Sequence, residues 1–376
     1  MKEQKTIIGL DWLQFSGDFK KEKQYILEAV KKGDKITCDF GNYTLIYNKL
    51  DKQTRDFKTL INIIYIDNET GETMDFALIC CDWVLKKETG KDLINVKVYN
   101  LVLYAMSLVQ IEDIFYNFFA IKNYSRIDFF IDFQHFNACE CEGFIKKVAN
   151  QELAPANRKT NVQINIESGQ YTGLTLGTRQ SACRCYLYNK TKELKKSNKE
   201  YIKELHKRAF GEKKDVWRLE FSLLKPSKFQ IVNLKNEDYF IDFQEYTLFD
   251  IWIDLQELVL NCVKKFWSFK TNQKRRENCE RIESQCFFEN TYNFAITIKN
   301  KKLTPRQQKT AKTTLKMLLD LNDELREKRC QQLDTDAIYY FVDKYQLNNY
   351  LQKLKDNRFV KKKSWTNFIF YNDICK

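Results

Sequence analysis

The stretch YSRIDFFIDF (Tyr124–Phe133) decides how this chain is read. In a β-strand, alternate side chains share a face. Ile127, Phe129, Ile131 and Phe133 then form one wholly apolar face, and Arg126, Asp128, Phe130 and Asp132 form the other. Two stretches further along repeat the pattern. In Cys183–Lys190, Cys183, Cys185 and Leu187 face one way, and Arg184, Tyr186, Tyr188 and Lys190 the other. In Val216–Leu223, Trp217, Leu219, Phe221 and Leu223 oppose Arg218, Glu220 and Ser222. Three such strands predict an α+β fold whose centre is an antiparallel sheet with a common core face. The opposite face would collect Asp128, Asp132, Glu220, Tyr186, Tyr188, Lys190 and several arginines. Antiparallel sheets with one solvated face alternate in the same way, and there the charges are ordinary surface ion pairs. The pattern alone leaves both readings open.

Outward from these strands, Thr6–Phe15 and Tyr43–Tyr47 read as further strands. Thr59–Ile66 and Thr73–Cys80 flank a turn-like Asp67–Gly71 and predict a hairpin. Lys21–Lys32 and Val96–Asn117 carry apolar residues at helical spacing. Thr191–Lys214 is lysine-rich, with nine Lys/Arg against four Glu, and is read as helical. Leu248–Phe269 predicts an apolar helix. Thr304 and Pro305 suit a helix start running to about Arg329, and Asp334–Lys355 predicts another. The expected organisation is a sheet-based domain over 1–245 and a mostly helical region over 246–376.

Composition narrows the function. The formal net charge of +13 favours polyanionic partners, although a basic protein need not bind nucleic acid. The twelve cysteines include no C-x-x-C pair, and there are only two histidines, His135 and His206, so a structural zinc site is not expected. Many cysteines lie among apolar residues, where a thiol packs as a small hydrophobe, as suits a reducing cytosol. No apolar run approaches a membrane span and Met1–Thr6 is polar, so a cytoplasmic bacterial protein without membrane contact is expected.

The polar face carries the residue types of metal-assisted phosphoryl chemistry. Clustered carboxylates repel one another, and a divalent cation relieves that repulsion. Oxygen ligands suit Mg2+ or Mn2+, which can polarise a phosphoryl oxygen. A tyrosine hydroxyl on the same face can then attack phosphorus, helped by Lys190 or Arg184. Geometry does not choose between Tyr186 and Tyr188.

Five motifs, in order over about residues 7–225, resemble those of Rep-trans initiators, the rolling-circle plasmid replication proteins, and the related relaxases of mobile elements. DWLQF (Asp11–Phe15) resembles an early strand of that family, and YSRIDFFIDF its R-hydrophobic-D strand. GLTLGTRQS (Gly173–Ser181) is similar to its glycine-containing hairpin, YNKTKE (Tyr188–Glu193) to its Y-[DE]-K-x-x-E motif, and WRLEFSLL (Trp217–Leu224) to its R-hydrophobic-E strand. Two positions depart from the family: Asn189 replaces the acidic residue after the tyrosine, and Thr178 replaces the hairpin serine. The resemblance implies an enzyme that nicks one DNA strand at an origin, stays bound to the 5′ phosphate through tyrosine, leaves a 3′ hydroxyl and later rejoins the strand. Motif by motif it implies Tyr188 as nucleophile, Asp128 and Glu220 as metal ligands with Asp132 as a third candidate, and Lys190 and Arg179 on phosphate.

Further candidates for DNA contact are Arg126, Arg184, Arg218, Lys192, Lys195, Lys196, Lys274, Arg275 and Arg276, with Arg358 and Lys361–Lys363 near the end. Trp365, Phe368 and Phe370 are candidates for base stacking or for core packing. Expected partners are origin DNA, a host helicase by analogy with the family, and a second copy of the chain as a homodimer. A conjugative relaxase, a non-catalytic DNA-binding protein and an RNA-binding or structural protein are the competing functions.

Overall fold

The computed structural model describes residues 5–84, 93–155, 160–164, 168–211, 214–235, 240–271, 282–288, 294–298 and 305–327, with residues 338, 342, 347, 350–352 and 354 beyond. The candidates Lys274, Arg275, Arg276, Arg358, Lys361–Lys363, Trp365, Phe368 and Phe370 lie outside the described residues, as does most of 334–355.

The chain runs β1 (Ile7–Phe19), α1 (Gln24–Lys32), β2 (Ile36–Asp39), β3 (Tyr43–Leu50), β4 (Phe57–Asp67), β5 (Thr73–Trp83), β6 (Ile94–Val98), α2 (Asn100–Ala105), α3 (Leu108–Tyr116) and β7 (Phe119–Phe133). It continues with α4 (Cys141–Ala149), β8 (Leu153–Pro155), β9 (Thr160–Ile164), β10 (Tyr171–Leu176), β11 (Cys183–Asn189), α5 (Lys190–Leu194), α6 (Glu200–Phe210) and β12 (Trp217–Leu223). Then follow β13 (Phe229–Asn233), β14 (Phe240–Asp242), α7 (Leu248–Ile253), α8 (Leu255–Phe266), β15 (Phe269–Thr271), β16 (Phe294–Ile298) and α9 (Pro305–Glu327).

Eleven strands form one antiparallel sheet in the order β2-β3-β4-β5-β6-β1-β7-β12-β11-β10-β9, so the fold is α+β. The three strands singled out by their alternation, β7, β12 and β11, are neighbours in it. Their apolar positions behave as one face: Ile127, Phe129, Ile131, Phe133, Leu219, Phe221, Leu223 and Leu187 are all buried. Cys185 lies in the same core as a buried thiol. The Asp67–Gly71 hairpin forms because Asp67 accepts the amides of Glu69 and Thr70, and Gly71 takes the positive φ that the turn needs.

Val96–Asn117 is not one helix. Ile94, Val96 and Val98 alternate into the sheet core as β6, and Ser107 then starts a fresh helix with a capping box to Gln110. The lysine-rich stretch also divides, into α5 and α6. After residue 245 the chain does not open a separate body. Leu248, Ile251, Leu258, Val259 and Val263 join the core that holds Leu13 and Phe129, and the first compact unit runs to Lys299. The second unit, from Asn300, contains α9, whose Ala311, Leu315 and Leu319 repeat every fourth residue and pack with Ile338, Val342, Leu347 and Leu351. No helix among the described residues is long and apolar enough to cross a membrane.

Candidate active site on the polar face of the sheet

Strand register sorts the polar face into transverse rows. One row holds Asp132, Arg218 and Tyr188, the next Phe130, Glu220 and Tyr186, and the third Trp12, Asp128, Ser222 and Arg184. Between the second and third rows, β1 slips register between Leu10 and Trp12, leaving Asp11 in the irregularity. Bulges re-aim a side chain in this way, and Asp11 turns to the polar side.

Arg218 is the hub. Its Nε and Nη2 donate to the two oxygens of Asp132 at 2.6 and 2.7 Å. Nη1 donates to Asp11 Oδ1 at 2.5 Å and Nη2 to Tyr104 Oη at 2.9 Å. The guanidinium lies over the Phe130 ring, 3.9 Å from its centroid. His206 of α6 completes the cluster, its Nε2 2.8 Å from Asp132 Oδ2. Burial pushes the carboxyls of Asp132 and Asp11 upward, but Arg218 with His206 holds Asp132 below its usual range, and Arg218 with Lys190, Lys199 and Asn100 holds Asp11 at about 2.

This cluster corrects two expectations. Arg218 and Asp132 are each 0% exposed, so Arg218 is not placed to touch DNA and both Asp132 oxygens are already bonded. The reason is depth: Tyr104 from α2 stacks on Phe130, and α6 brings His206 onto the same end of the face. Alternation reports a side, not what covers it. Asp11, Tyr104 and His206 were missed as site residues. The available signal was the aspartate that interrupts the otherwise apolar run Ile7–Leu13.

The reactive arrangement lies beside the hub. Tyr188 Oη donates to Glu220 Oε2 at 3.0 Å. Lys190 Nζ stands 3.5 Å from the same hydroxyl and pairs with Glu193 at 2.8 Å. Lys190 is only 1% exposed because it opens α5, which Asn189 caps by accepting the Lys192 amide. Asn189 also donates to Asp215. Burial, then the Asp11 and Asp128 carboxylates, push Glu220 up to about 7. Burial, then Glu220, raise the Tyr188 phenol well above its ordinary value, and burial with Arg218 lowers the Lys190 ammonium. Tyr186 opposes Glu220 in register but lies against Arg184, 4.9 Å from guanidinium to ring centroid.

Asp128 accepts from Arg126 Nε at 2.9 Å and from Ser222 Oγ at 2.6 Å. Burial nevertheless raises its pKa. Among the described residues no three His, Cys, Asp or Glu side chains converge closely enough to hold an ion by themselves. The donors still suit Mg2+ or Mn2+. All are hard oxygens, and Glu220 keeps an oxygen that takes no hydrogen bond from the described residues. Magnesium is commonly held by one or two carboxylates, with water and substrate phosphate filling the shell.

Of the other cationic candidates, Arg179, Lys195 and Lys196 are exposed and Lys192 and Arg184 are half-buried. Arg179 sits in the turn after β10, which Gly177 (φ 96°) and a Thr178–Ser181 hydrogen bond shape. His135 is half-buried and its Nδ1 meets the neighbouring Phe136 carbonyl at 2.9 Å.

No protein-family model and no curated protein matches the chain. Among solved structures, the rolling circle replication initiator protein from Geobacillus stearothermophilus is similar at TM-score 0.38 and 13% identity, over 73% of this chain and 89% of that one.

Proposed function

We propose that this chain is a replication initiator that nicks one strand of origin DNA with Tyr188 as nucleophile. The observation that carries the reading is a phenol that donates a hydrogen bond to a carboxylate at 3.0 Å, with a lysine ammonium 3.5 Å from the same phenol oxygen. Glu220 takes the Tyr188 proton as Oη attacks phosphorus. The bond from phosphorus to the 3′ oxygen breaks, Lys190 supplies a proton to that oxygen, and the 5′ phosphate stays on tyrosine. Rejoining runs the same steps in reverse.

Glu220 and Asp128 would hold a Mg2+ or Mn2+ ion, with Asp11 adding negative charge beside them. That ion would supply Lewis-acid polarisation of the phosphate. Arg179, Lys192, Lys195 and Lys196 would contact the DNA backbone. Asp132 and Arg218 are left out of the chemistry and assigned to holding Asp11 and the strands in place.

One observation favours a second reading, a DNA-binding protein without catalysis: Asp11, Asp128 and Asp132 are already paired with arginines. Incubation of the chain with end-labelled DNA spanning its own replicon, with manganese or EDTA, separates the two. Nicking predicts a manganese-dependent adduct that survives denaturation. A folded chain that binds this DNA yet forms no adduct would establish the second reading.

A further inference from the structure

On the same face, away from Tyr188, three cations gather around two aromatic rings. Trp12 of β1 carries Lys97 Nζ 3.7 Å from its ring centroid and the Arg126 guanidinium 4.2 Å from it. Lys97 has no carboxylate partner among the described residues, and burial with the nearby Arg126 charge lowers its pKa. On β11, Arg184 lies against Tyr186, and its Nε is buried without a hydrogen-bond partner. Of the three, Arg126 alone has an acid among the described residues, Asp128. Like charges collected on one face, two of them without a counter-ion there, attract an anion. A ring quadrupole can hold such cations where no carboxylate does.

We propose that Lys97, Arg126 and Arg184 form a phosphate track that carries single-stranded DNA across the sheet to β11, the strand of Tyr188, with Trp12 as the positioning residue that holds Lys97 and Arg126 in line. The track crosses from β6 through β1, β7 and β12 to β11, four strand spacings and thus about 19 Å. That length accommodates more than one phosphodiester. The ligand is a single strand because Glu220 and Tyr188 sit among side chains standing off a sheet, where a flexible backbone can follow the rows. The assignment rests on the DNA reading of the site but not on cleavage.

The test measures binding of the full chain to a fluorescein-labelled oligothymidylate 20-mer in EDTA, where nicking plays no part, across a salt series. Removing one phosphate-binding cation should reduce the slope of log K against log salt by about 0.7. Lys97→Gln and Arg184→Gln should each show that drop, with binding weakened about 3- to 10-fold at low salt. Trp12→Leu should show it too, while Trp12→Phe, which keeps a ring, should stay near the parent. Lys21→Gln, an exposed cation outside the face, is the control. Parental slopes in both Lys97→Gln and Arg184→Gln, or an equal drop in the control, would overturn the track. So would failure of the parent chain to bind the oligonucleotide. If the slopes fall as expected but origin DNA is never nicked, the track stands and the nicking reading fails. If origin DNA is nicked but the slopes stay parental, the track is overturned and the nicking reading stands.

Discussion

Tyr188 and Glu220 share a 3.0 Å hydrogen bond although they are not cross-strand partners: Tyr188 opposes Arg218 and Glu220 opposes Tyr186. The bond is diagonal, reaching over one row of the sheet. Diagonal neighbours lie within reach of long and aromatic side chains. This geometry separates two tyrosines that alternation alone treats alike. Tyr188→Phe should abolish adduct formation, and Tyr186→Phe should retain it within a few-fold. Denaturing gels of labelled DNA check both, and an adduct in Tyr188→Phe would transfer the role to Tyr186.

Glu220 makes stability fall as pH rises. Its folded pKa of about 7 lies above the ordinary 4.5, so between those values the folded state binds more proton than the unfolded one. The contribution is fully present below 4.5 and is lost as pH rises through 7. In EDTA, the melting temperature of the parent should drop between about pH 5 and pH 8 more than that of Glu220→Gln. Manganese at the upper end of that range should recover the parent and leave Glu220→Gln unmoved. Identical pH profiles in EDTA would mean that the Glu220 carboxyl is not held above its ordinary range, and identical manganese responses would remove Glu220 from the proposed metal site.

Arg218, itself out of contact with water, binds two carboxylates, the buried Asp132 and the partly exposed Asp11. Arg218→Met would strand Asp11 and Asp132, and breaking a buried pair this way costs about 3–5 kcal/mol. Urea denaturation should register a decrease of that order. A decrease below about 1 kcal/mol, the range of surface pairs, would mean that the cluster is solvated.

Gly9 leaves room for Phe130, the ring beneath Arg218. A Cβ there would stand 2.8 Å from two ring carbons. Gly9→Ala should therefore destabilise by about 1–3 kcal/mol, as overpacking does, and an unchanged melting temperature would show that the ring shifts freely.

Much of the fold was legible because a two-residue period is a strong signal. The alternation in Arg126–Phe133, Cys183–Lys190 and Val216–Leu223 pointed to three neighbouring strands and their common core face. The same period could not give depth. It placed Arg218 and Asp132 beside Glu220 on one face without revealing that Tyr104 and His206 close over them, since those come from helices distant in sequence. Val96–Asn117 misled for a related reason: Val96 and Val98 fit a helical stripe and a strand face equally, and only the sheet neighbour Ile79 decides. Asp11 escaped notice because a register slip, which no periodicity reports, turns it to the polar face.

The most direct measurement is the identity of the residue that carries the DNA. After reaction with manganese and origin DNA, tryptic digestion would release the peptide Cys185–Lys190, which contains both tyrosines, and tandem mass spectrometry would locate the nucleotide. The account predicts a phosphodiester on Tyr188 Oη. A nucleotide on Tyr186, on any other residue, or on none while the DNA is nevertheless nicked would contradict it.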